Sequence, residues 1–172
     1  GRIRSTFEDV AFIDDKGTLA TVGFKGIELW NPRTQLIENN GSFRRQGYYK
    51  TGWTNDGKRL VVAASDVVEV WSVNTGKRIE GRAVGRHVQK ILVSPDNERF
   101  VVLWGANELP LVVGLYGLVD CRLIAKVEGG MLVGFAPDGK TFLVAGTPFA
   151  VYDSESGAQL HKFSLEGRIA PD

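Results

Sequence analysis

Residues 132–163 decide the fold, and they read LVGFAPDGKTFLVAGTPFAVYDSESGAQLHKF. Short runs rich in apolar and β-branched residues alternate here with clusters of turn residues. Asp138-Gly139 separates the first two runs, and Ser154-Glu155-Ser156-Gly157 separates the last two. A tight hairpin needs a positive φ, which glycine adopts at low cost. The stretch therefore predicts four antiparallel strands, since each run is too short to favour a helix.

The same pattern occurs four times along the chain. Asp15, Asp56, Asp96 and Asp138 occupy equivalent turns and follow one another at intervals of 41, 40 and 42 residues. The third repeat carries about five extra residues between its second and third strands, at about 105–111. We predict one domain over residues 1–172, with repeats at about 7–40, 48–81, 88–128 and 130–163. In the second repeat the strands are predicted at about 48–53, 59–64, 67–71 and 77–80.

Composition narrows the class of protein. Apolar residues make up 43% and charged residues 24% of 172 residues, which is typical of a folded globular domain. Lys and Arg number 21 against 20 Asp and Glu, so a globally basic nucleic-acid binder is excluded. No apolar run reaches the ~18 residues of a membrane-spanning helix. The single cysteine, Cys121, permits no internal disulfide and fits a reducing compartment, so we expect a cytoplasmic protein.

Two motifs resemble the WD-repeat family of β-propellers. Residues 135–140, FAPDGK, are similar to that family's F-S-P-D-G-K turn, and residues 70–77, VWSVNTGK, are similar to its L-W-D-x-x-T-G-K stretch. The resemblance covers about residues 7–163. It implies an all-β fold of propeller blades, four repeats of four antiparallel strands, and a role as a protein–protein interaction scaffold or adaptor. The family's Gly-His pair is absent, which leaves quinoprotein-like and other propeller-repeat relatives open.

The large aromatic side chains are expected between blades. A four-stranded sheet of about 40 residues needs neighbours on both faces, so identical repeats stack into an array. Aromatic residues recur at equivalent positions of the strands, where core packing explains them better than a ligand stack. These residues are Trp30, Trp53, Trp71, Tyr116 and Tyr152.

The sequence contains few residues of the kinds that carry out catalysis. His87 and His161 lie at non-equivalent positions, and with Cys121 they form no metal-binding spacing. The recurrent turn aspartates are expected to bind their own backbone two residues on, rather than a metal. Cys121 is expected at the turn between the third and outer strands of the third repeat, where it could be exposed. We predict no catalytic residues, no metal and no cofactor, and hence no enzyme.

One segment has a marked excess of positive charge. Residues 44–90 contain ten Lys and Arg against four Asp and Glu, so this segment carries +6. On the propeller interpretation, Arg44, Arg45, Arg82, Arg86 and His87 lie in connections between blades, on one face of the ring. They suggest a site for a protein or an acidic or phosphorylated peptide, although an ordinary solvated surface explains the charge equally well. Nucleic acid and membrane are disfavoured as partners.

The insertion in the third repeat is a second candidate contact. Glu108, Leu109 and Pro110 lie where the other repeats have short polar turns, and the loop is expected on the same face as the cationic connections. A loop that folds back over its own blade explains the same residues.

Two function classes remain open from the sequence. An interaction scaffold is favoured, and the alternative is the propeller of a hydrolase or lactonase-type enzyme, or a gating domain attached to a catalytic one. Because WD-type rings usually have more than four blades, we also expect the chain to be part of a longer protein or to close a ring with another copy.

Overall fold

The computed structural model describes residues 7–15, 17–23, 26–31, 33–34, 36–41, 49–64, 66–105, 111–146 and 148–163, and the structural statements below concern these residues. They form strands and turns. The first two repeats contain β1 (Phe7–Phe12), β2 (Leu19–Gly23), β3 (Gly26–Asn31), β4 (Leu36–Gly41), β5 (Tyr49–Trp53), β6 (Arg59–Ala64), β7 (Val67–Ser72) and β8 (Lys77–Ala83). The last two contain β9 (Val88–Val93), β10 (Arg99–Trp104), β11 (Val112–Gly117), β12 (Leu123–Glu128), β13 (Met131–Phe135), β14 (Thr141–Ala145), β15 (Phe149–Asp153) and β16 (Gln159–Phe163).

Each repeat forms one four-stranded sheet, and its strands pair in the order of the sequence. All the pairings are antiparallel, and the first hairpin keeps the same register in successive repeats: Trp53 faces Leu60, Val93 faces Phe100, and Phe135 faces Phe142. The prediction of an all-β fold with four repeats of four antiparallel strands is confirmed. The sheets are called blades 1 to 4 below.

The aspartates of the first hairpin in blades 2, 3 and 4 close their own turns, as predicted. A side-chain oxygen of Asp56 accepts a hydrogen bond from the backbone N–H of Lys58 at 3.0 Å. In the same way, Asp96 accepts a hydrogen bond from the backbone N–H of Glu98, and Asp138 accepts one from that of Lys140, both at 3.0 Å. These carboxylates are therefore occupied by backbone donors, which is the ordinary function of aspartate in such turns.

Buried hydroxyl groups hold two of these hairpins at their base. The Thr54 hydroxyl accepts from the backbone N–H of Arg59 at 3.0 Å and donates to the carbonyl of the same residue at 3.1 Å. The Ser94 hydroxyl does the same with Arg99, at 2.9 Å for both bonds. Thr54 and Ser94 are 4% and 1% exposed, so each buried hydroxyl has its partners.

Blades pack through alternate residues of the same strands. In β6, Val62 packs towards blade 1 and Val61 packs towards blade 3. In β10, Val102 packs towards blade 2 and Val101 packs towards blade 4. This alternation follows from the two-residue period of a strand. Each blade thus has a backward face, towards the preceding repeat, and a forward face, towards the next. Every interface between described residues joins a forward face to a backward face.

Most of the predicted aromatic residues lie in these interfaces. Trp53 and Trp71 pack between blades 1 and 2, Tyr116 between blades 2 and 3, and Tyr152 between blades 3 and 4. Trp30 is the exception, because it lies on the backward face of blade 1, where the described residues supply no neighbouring blade. Its indole N–H donates to the Thr21 hydroxyl at 3.1 Å.

Candidate interaction surface

The ends of the strands define two surfaces of the array. The connection face holds the connections between blades and the turns between second and third strands. The turn face, at the opposite end, holds the hairpins after the first and third strands. The two surfaces differ in how they are built.

The connection between blades 2 and 3, residues 84–87, is fixed by backbone hydrogen bonds to both blades. The N–H of Val84 donates to the carbonyl of Asp66 at 2.7 Å, in the second turn of blade 2. The N–H of Gly105 donates to the carbonyl of His87 at 3.3 Å, and the Gln89 side chain donates to the Gly105 carbonyl at 2.9 Å. The insertion of the third repeat therefore starts beside this connection, which is where the sequence placed it.

The connection also rests on an aromatic ring. A Cβ atom at Gly85 would lie 1.8 Å from the Trp104 indole, so only glycine lets the backbone approach the ring this closely. Arg86 and His87 follow immediately, both with exposed side chains. His87 adopts a φ of 59°, which is unusual for a residue with a side chain. The packing of this connection thus holds the Arg86 and His87 side chains exposed on the connection face.

Two lysines extend this group along the inner strands. Lys50 in β5 and Lys90 in β9 occupy equivalent positions in their blades. Lys50 directly precedes Thr51, which pairs with Val62, and Lys90 directly precedes Ile91, which pairs with Val102. Their strands lie side by side, because a Cβ at Gly52 would be 2.8 Å from the Ile91 side chain. Both lysines are exposed. We call Lys50, Arg86, His87 and Lys90 the cationic rim.

The cationic rim keeps its charges unpaired. Among the described residues, none of its side chains has a carboxylate oxygen within 4.0 Å. The turn face is mixed. Lys58 pairs there with Asp56 at 3.6 Å, Arg99 with Asp96 at 3.4 Å, and Arg122 with Asp120 at 3.7 Å, whereas Arg59, Lys77 and Lys140 have no ion pair among the described residues. The unpaired cations of the +6 segment therefore lie on both faces, and on the connection face they form the cationic rim.

Comparisons with solved structures identify the architecture. The chain matches the β-propeller domain of Cps50 (Swd1) from Myceliophteria thermophila with a TM-score of 0.67 and 13% identity, over 97% of this chain and 59% of that one. It matches hydrazine synthase of Kuenenia stuttgartiensis with a TM-score of 0.63 and 21% identity, over 86% of this chain and 46% of that one. The four sheets are blades of a β-propeller. No protein-family model matches the sequence, and no curated protein matches it.

These likenesses concern the fold. The chain spans 59% and 46% of the two propeller-containing chains, and the identities are too low to carry a site from either. A functional site must therefore be identified from the side chains of this propeller segment itself.

Arg82 does not lie in a connection, and its predicted location is wrong. Strand β8 continues to Ala83, since Gly81 lets it pass alongside Glu69 of β7 without a side chain of its own. The Arg82 guanidinium donates to the carbonyl of Cys121 in blade 3 at 3.5 Å. This arginine therefore ties the outer strand of blade 2 to the next blade, whereas Arg86 and His87 lie in the connection as predicted.

Cys121 lies at the predicted turn, but the expectation that it could be exposed is wrong. Its side chain is 1% exposed because the outer strand of the preceding blade covers this turn. Burial raises the pKa of the thiol to about 11; Glu80 and Asp120 add to this, and Arg82 opposes it. The thiol is therefore neutral at physiological pH, which removes it as a nucleophile.

Several predicted site residues lie outside the described residues: Arg44, Arg45, Glu108, Leu109 and Pro110. Leu111, at the end of the insertion, is half-buried and packs against the core between blades 3 and 4. The sequence interpretation missed Lys50 and Lys90 as rim residues. The repeat alignment carried the signal, because the two lysines are 40 residues apart at the same strand position.

The turn face has a cleft of about 320 Å³ between the first hairpins of blades 2 and 3. Asp56, Asp96, Lys58 and Arg59 line it, together with Asn97. Its aspartates are already engaged by the turns and ion pairs described above. Among the residues of known position, no three His, Cys, Asp or Glu side chains are grouped to hold a metal ion, and no helix is long and apolar enough to cross a membrane.

Proposed function

We propose that this chain is a non-enzymatic, WD-repeat-like propeller segment that binds a protein partner through its cationic rim. The segment recognised is acidic, either phosphorylated or rich in Asp and Glu. The observation that carries the proposal is that the four exposed side chains of the rim have no ion pair among the described residues. An anionic peptide gains attraction at the rim without having to displace an internal ion pair.

The geometry of the rim suits a carboxylate or phosphate. Arg86 offers a planar fork of donors that binds such groups bidentately, and Lys50 and Lys90 supply point charges on the neighbouring inner strands. Trp104 and the hydrogen bonds of residues 84–87 hold the connection in place. Less ordering of the loop is then required when the peptide binds, which favours affinity.

A binding measurement with matched charge changes tests this proposal. Fluorescence anisotropy is recorded with a labelled decapeptide of Glu and phosphoserine, and with its Gln and Ser counterpart. The double variant Arg86→Glu, Lys90→Glu is expected to weaken binding of the anionic peptide at least tenfold. The control Lys58→Glu, Lys140→Glu makes the same charge change on the turn face and is expected to change the Kd less than twofold.

Other outcomes decide against the proposal. Equal losses in the rim variant and the turn-face control would mean that net charge alone attracts the peptide. Tighter binding of an oligo-dT single strand than of either peptide, with the same dependence on Arg86 and Lys90, would replace the peptide with nucleic acid. Raising the salt from 50 to 200 mM should weaken rim binding, because the rim charges are exposed.

An enzyme-associated propeller is the second candidate, and the similarity to hydrazine synthase is the observation that favours it. That similarity is one of fold, and a catalytic role needs reactive groups gathered at one place. The only described histidine of the rim, His87, has no neighbouring carboxylate within 4.0 Å. Turnover of a panel of lactones and esters that is lost in His87→Gln would favour this candidate over the scaffold.

A further inference from the structure

We propose that the cleft of about 320 Å³ on the turn face binds a small zwitterion of the α-amino-acid class, with its carboxylate on Arg59 and its ammonium group on Glu98. The cleft lies between the first hairpins of blades 2 and 3, on the face opposite the cationic rim. This inference is therefore independent of the function proposed for the rim.

One residue of the blade 3 hairpin explains why a cleft opens at this place. In blade 2 the equivalent residue is Gly57, where a Cβ atom would lie 2.0 Å from the Ile13 carbonyl oxygen of blade 1. In blade 4 it is Gly139, where a Cβ atom would lie 2.8 Å from the Asp96 carboxyl group of blade 3. Glycine thus lets these two hairpins lie directly against the preceding blade. Asn97 carries a Cβ, so the blade 3 hairpin cannot approach blade 2 as closely.

Two asparagine side chains span the gap between the hairpins. The Asn97 side-chain oxygen accepts from the Asn55 backbone N–H at 2.7 Å, and the Asn55 amide donates to the Pro95 carbonyl at 3.1 Å. Thr54 and Leu118 are the buried residues of the lining, at 4% and 1% exposure. Small-molecule sites measure about 300–1,000 Å³, so a cleft of about 320 Å³ admits a ligand at the small end of that range.

Arg59 is a cation of the cleft that has no anionic partner. Its equivalent in blade 3, Arg99, pairs with the aspartate of its own hairpin, Asp96, at 3.4 Å. In blade 2 the corresponding aspartate, Asp56, pairs with Lys58 at 3.6 Å instead. Arg59 is half-buried, lines the cleft and has no ion pair in the described part of the chain. Its guanidinium is therefore available to bind a ligand carboxylate, which suits its planar fork of donors.

The blade 3 wall of the cleft offers an anion and an amide. Glu98 is exposed there, and no cationic group of known position lies within 4.0 Å of its carboxylate. The Asn97 amide uses its oxygen on Asn55 and keeps its two N–H donors for a ligand. Because Arg59 and Glu98 do not pair across the cleft, a ligand with both charges can bridge them. An α-amino acid carries its carboxylate and its ammonium group on one carbon atom, which fits so small a space.

NMR titration of the ¹⁵N-labelled chain with each of the standard L-amino acids tests the proposal. At least one is expected to shift the backbone amide signals of Asn55, Asn97 and Glu98. The strongest binder is then compared with its decarboxylated amine and its N-acetyl derivative, and each should bind about tenfold more weakly, because one charged contact is lost. Arg59→Gln should abolish the advantage over the amine. Glu98→Gln should abolish the advantage over the N-acetyl derivative.

Two further variants separate the cleft from a general charge effect. Lys140→Gln removes an unpaired cation from the equivalent hairpin of blade 4 and should change the Kd less than twofold. Asn97→Asp keeps an oxygen for the Asn55 N–H but loses the amide donors, so it should weaken binding about tenfold. The ¹⁵N spectrum shows whether each variant is folded. The proposal would be overturned by unshifted signals at both hairpins with every amino acid, by equal binding of the amine, or by equal losses in Arg59→Gln and Lys140→Gln.

Discussion

The side-chain oxygen of Asn97 accepts a hydrogen bond from the backbone N–H of Asn55 at 2.7 Å, and so joins the first hairpins of blades 2 and 3. Asn97 has a φ of 61° at the position where the other hairpins have Gly57 and Gly139, whose φ values are 66° and 74°. Asparagine is the side chain that tolerates this conformation best, and here it also supplies a contact that glycine lacks.

Substitution of Asn97 should separate the hydrogen bond from the backbone conformation. Asn97→Gly loses only the bond to Asn55 and is expected to lower the free energy of unfolding by about 1 kcal/mol. Asn97→Ala keeps a Cβ in the left-handed region but loses the short polar side chain with which asparagine tolerates it, so it should cost about 1 kcal/mol more than Asn97→Gly. Urea denaturation at one fixed protein concentration measures both. An alanine variant as stable as the glycine variant would contradict the assigned role of the backbone.

Gly57 and Gly17 offer a matched pair for the contact between blades 1 and 2. Both have positive φ, 66° and 83°, but a Cβ at Gly57 would lie 2.0 Å from the Ile13 carbonyl oxygen, whereas a Cβ at Gly17 has nothing within 4 Å. Gly17→Ala should therefore cost about 1 kcal/mol from backbone strain alone. Gly57→Ala should cost about 3 kcal/mol or more, because the blades must move apart. Similar midpoints of thermal unfolding for the two variants would refute this assignment.

Ala136 marks a place where blade 4 lacks a bond that blades 2 and 3 make. It stands where Thr54 and Ser94 bridge their hairpins, and the equivalent backbone partner in blade 4 is Thr141. Ala136→Ser is expected to raise the free energy of unfolding by about 0.5–1 kcal/mol. The reverse change, Ser94→Ala, should lower it by about 1–3 kcal/mol, because it leaves buried backbone groups with fewer partners. Urea denaturation of both variants is the measurement, and a destabilised Ala136→Ser would count against the shared hairpin geometry.

Cys121 should make stability depend on pH in the alkaline range. Its pKa in the folded protein is about 11, above the ~8.5 of a thiol in an unfolded chain, so the unfolded state ionises first as the pH rises. The free energy of unfolding is therefore unaffected by this group below about pH 8 and falls between about pH 9 and 11, by about 3 kcal/mol. Urea denaturation at intervals across this range should show a shallower decline for Cys121→Ser. Parallel pH profiles for the two proteins would mean that the thiol does not titrate differently on unfolding.

The turns were predictable from sequence because their signals are local. Asp56-Gly57 and Asp138-Gly139 specify a hairpin through their own backbone preferences, and the equal spacing of the repeats extends that inference to blades 1 and 3. The alignment of the repeats could also have predicted a positive φ at Cys121, because this residue occupies the position of Gly76 and Gly157, which have positive φ as well.

Contacts between blades were harder to predict. Cys121 is buried because the outer strand of blade 2 leans over a turn of blade 3, and Gly157 meets Ala125 in the same way one blade further on. The local sequence of a turn does not predict which strand of the neighbouring blade covers it. For the same reason the sequence predicts that this strand ends at about residue 80, although β8 continues through Gly81 to Ala83.

The third repeat shows where this architecture accepts change in length. Its additional residues begin at Gly105 on the connection face, while the hairpins of the turn face are fixed by hydroxyl bridges and by glycines that touch the neighbouring blade. Doubling the length of a surface loop costs only about 0.6 kcal/mol in closure entropy. New recognition loops can therefore be inserted between the second and third strands of a blade, on the face that carries the cationic rim, whereas an equal insertion in the opposite hairpins would separate the blades.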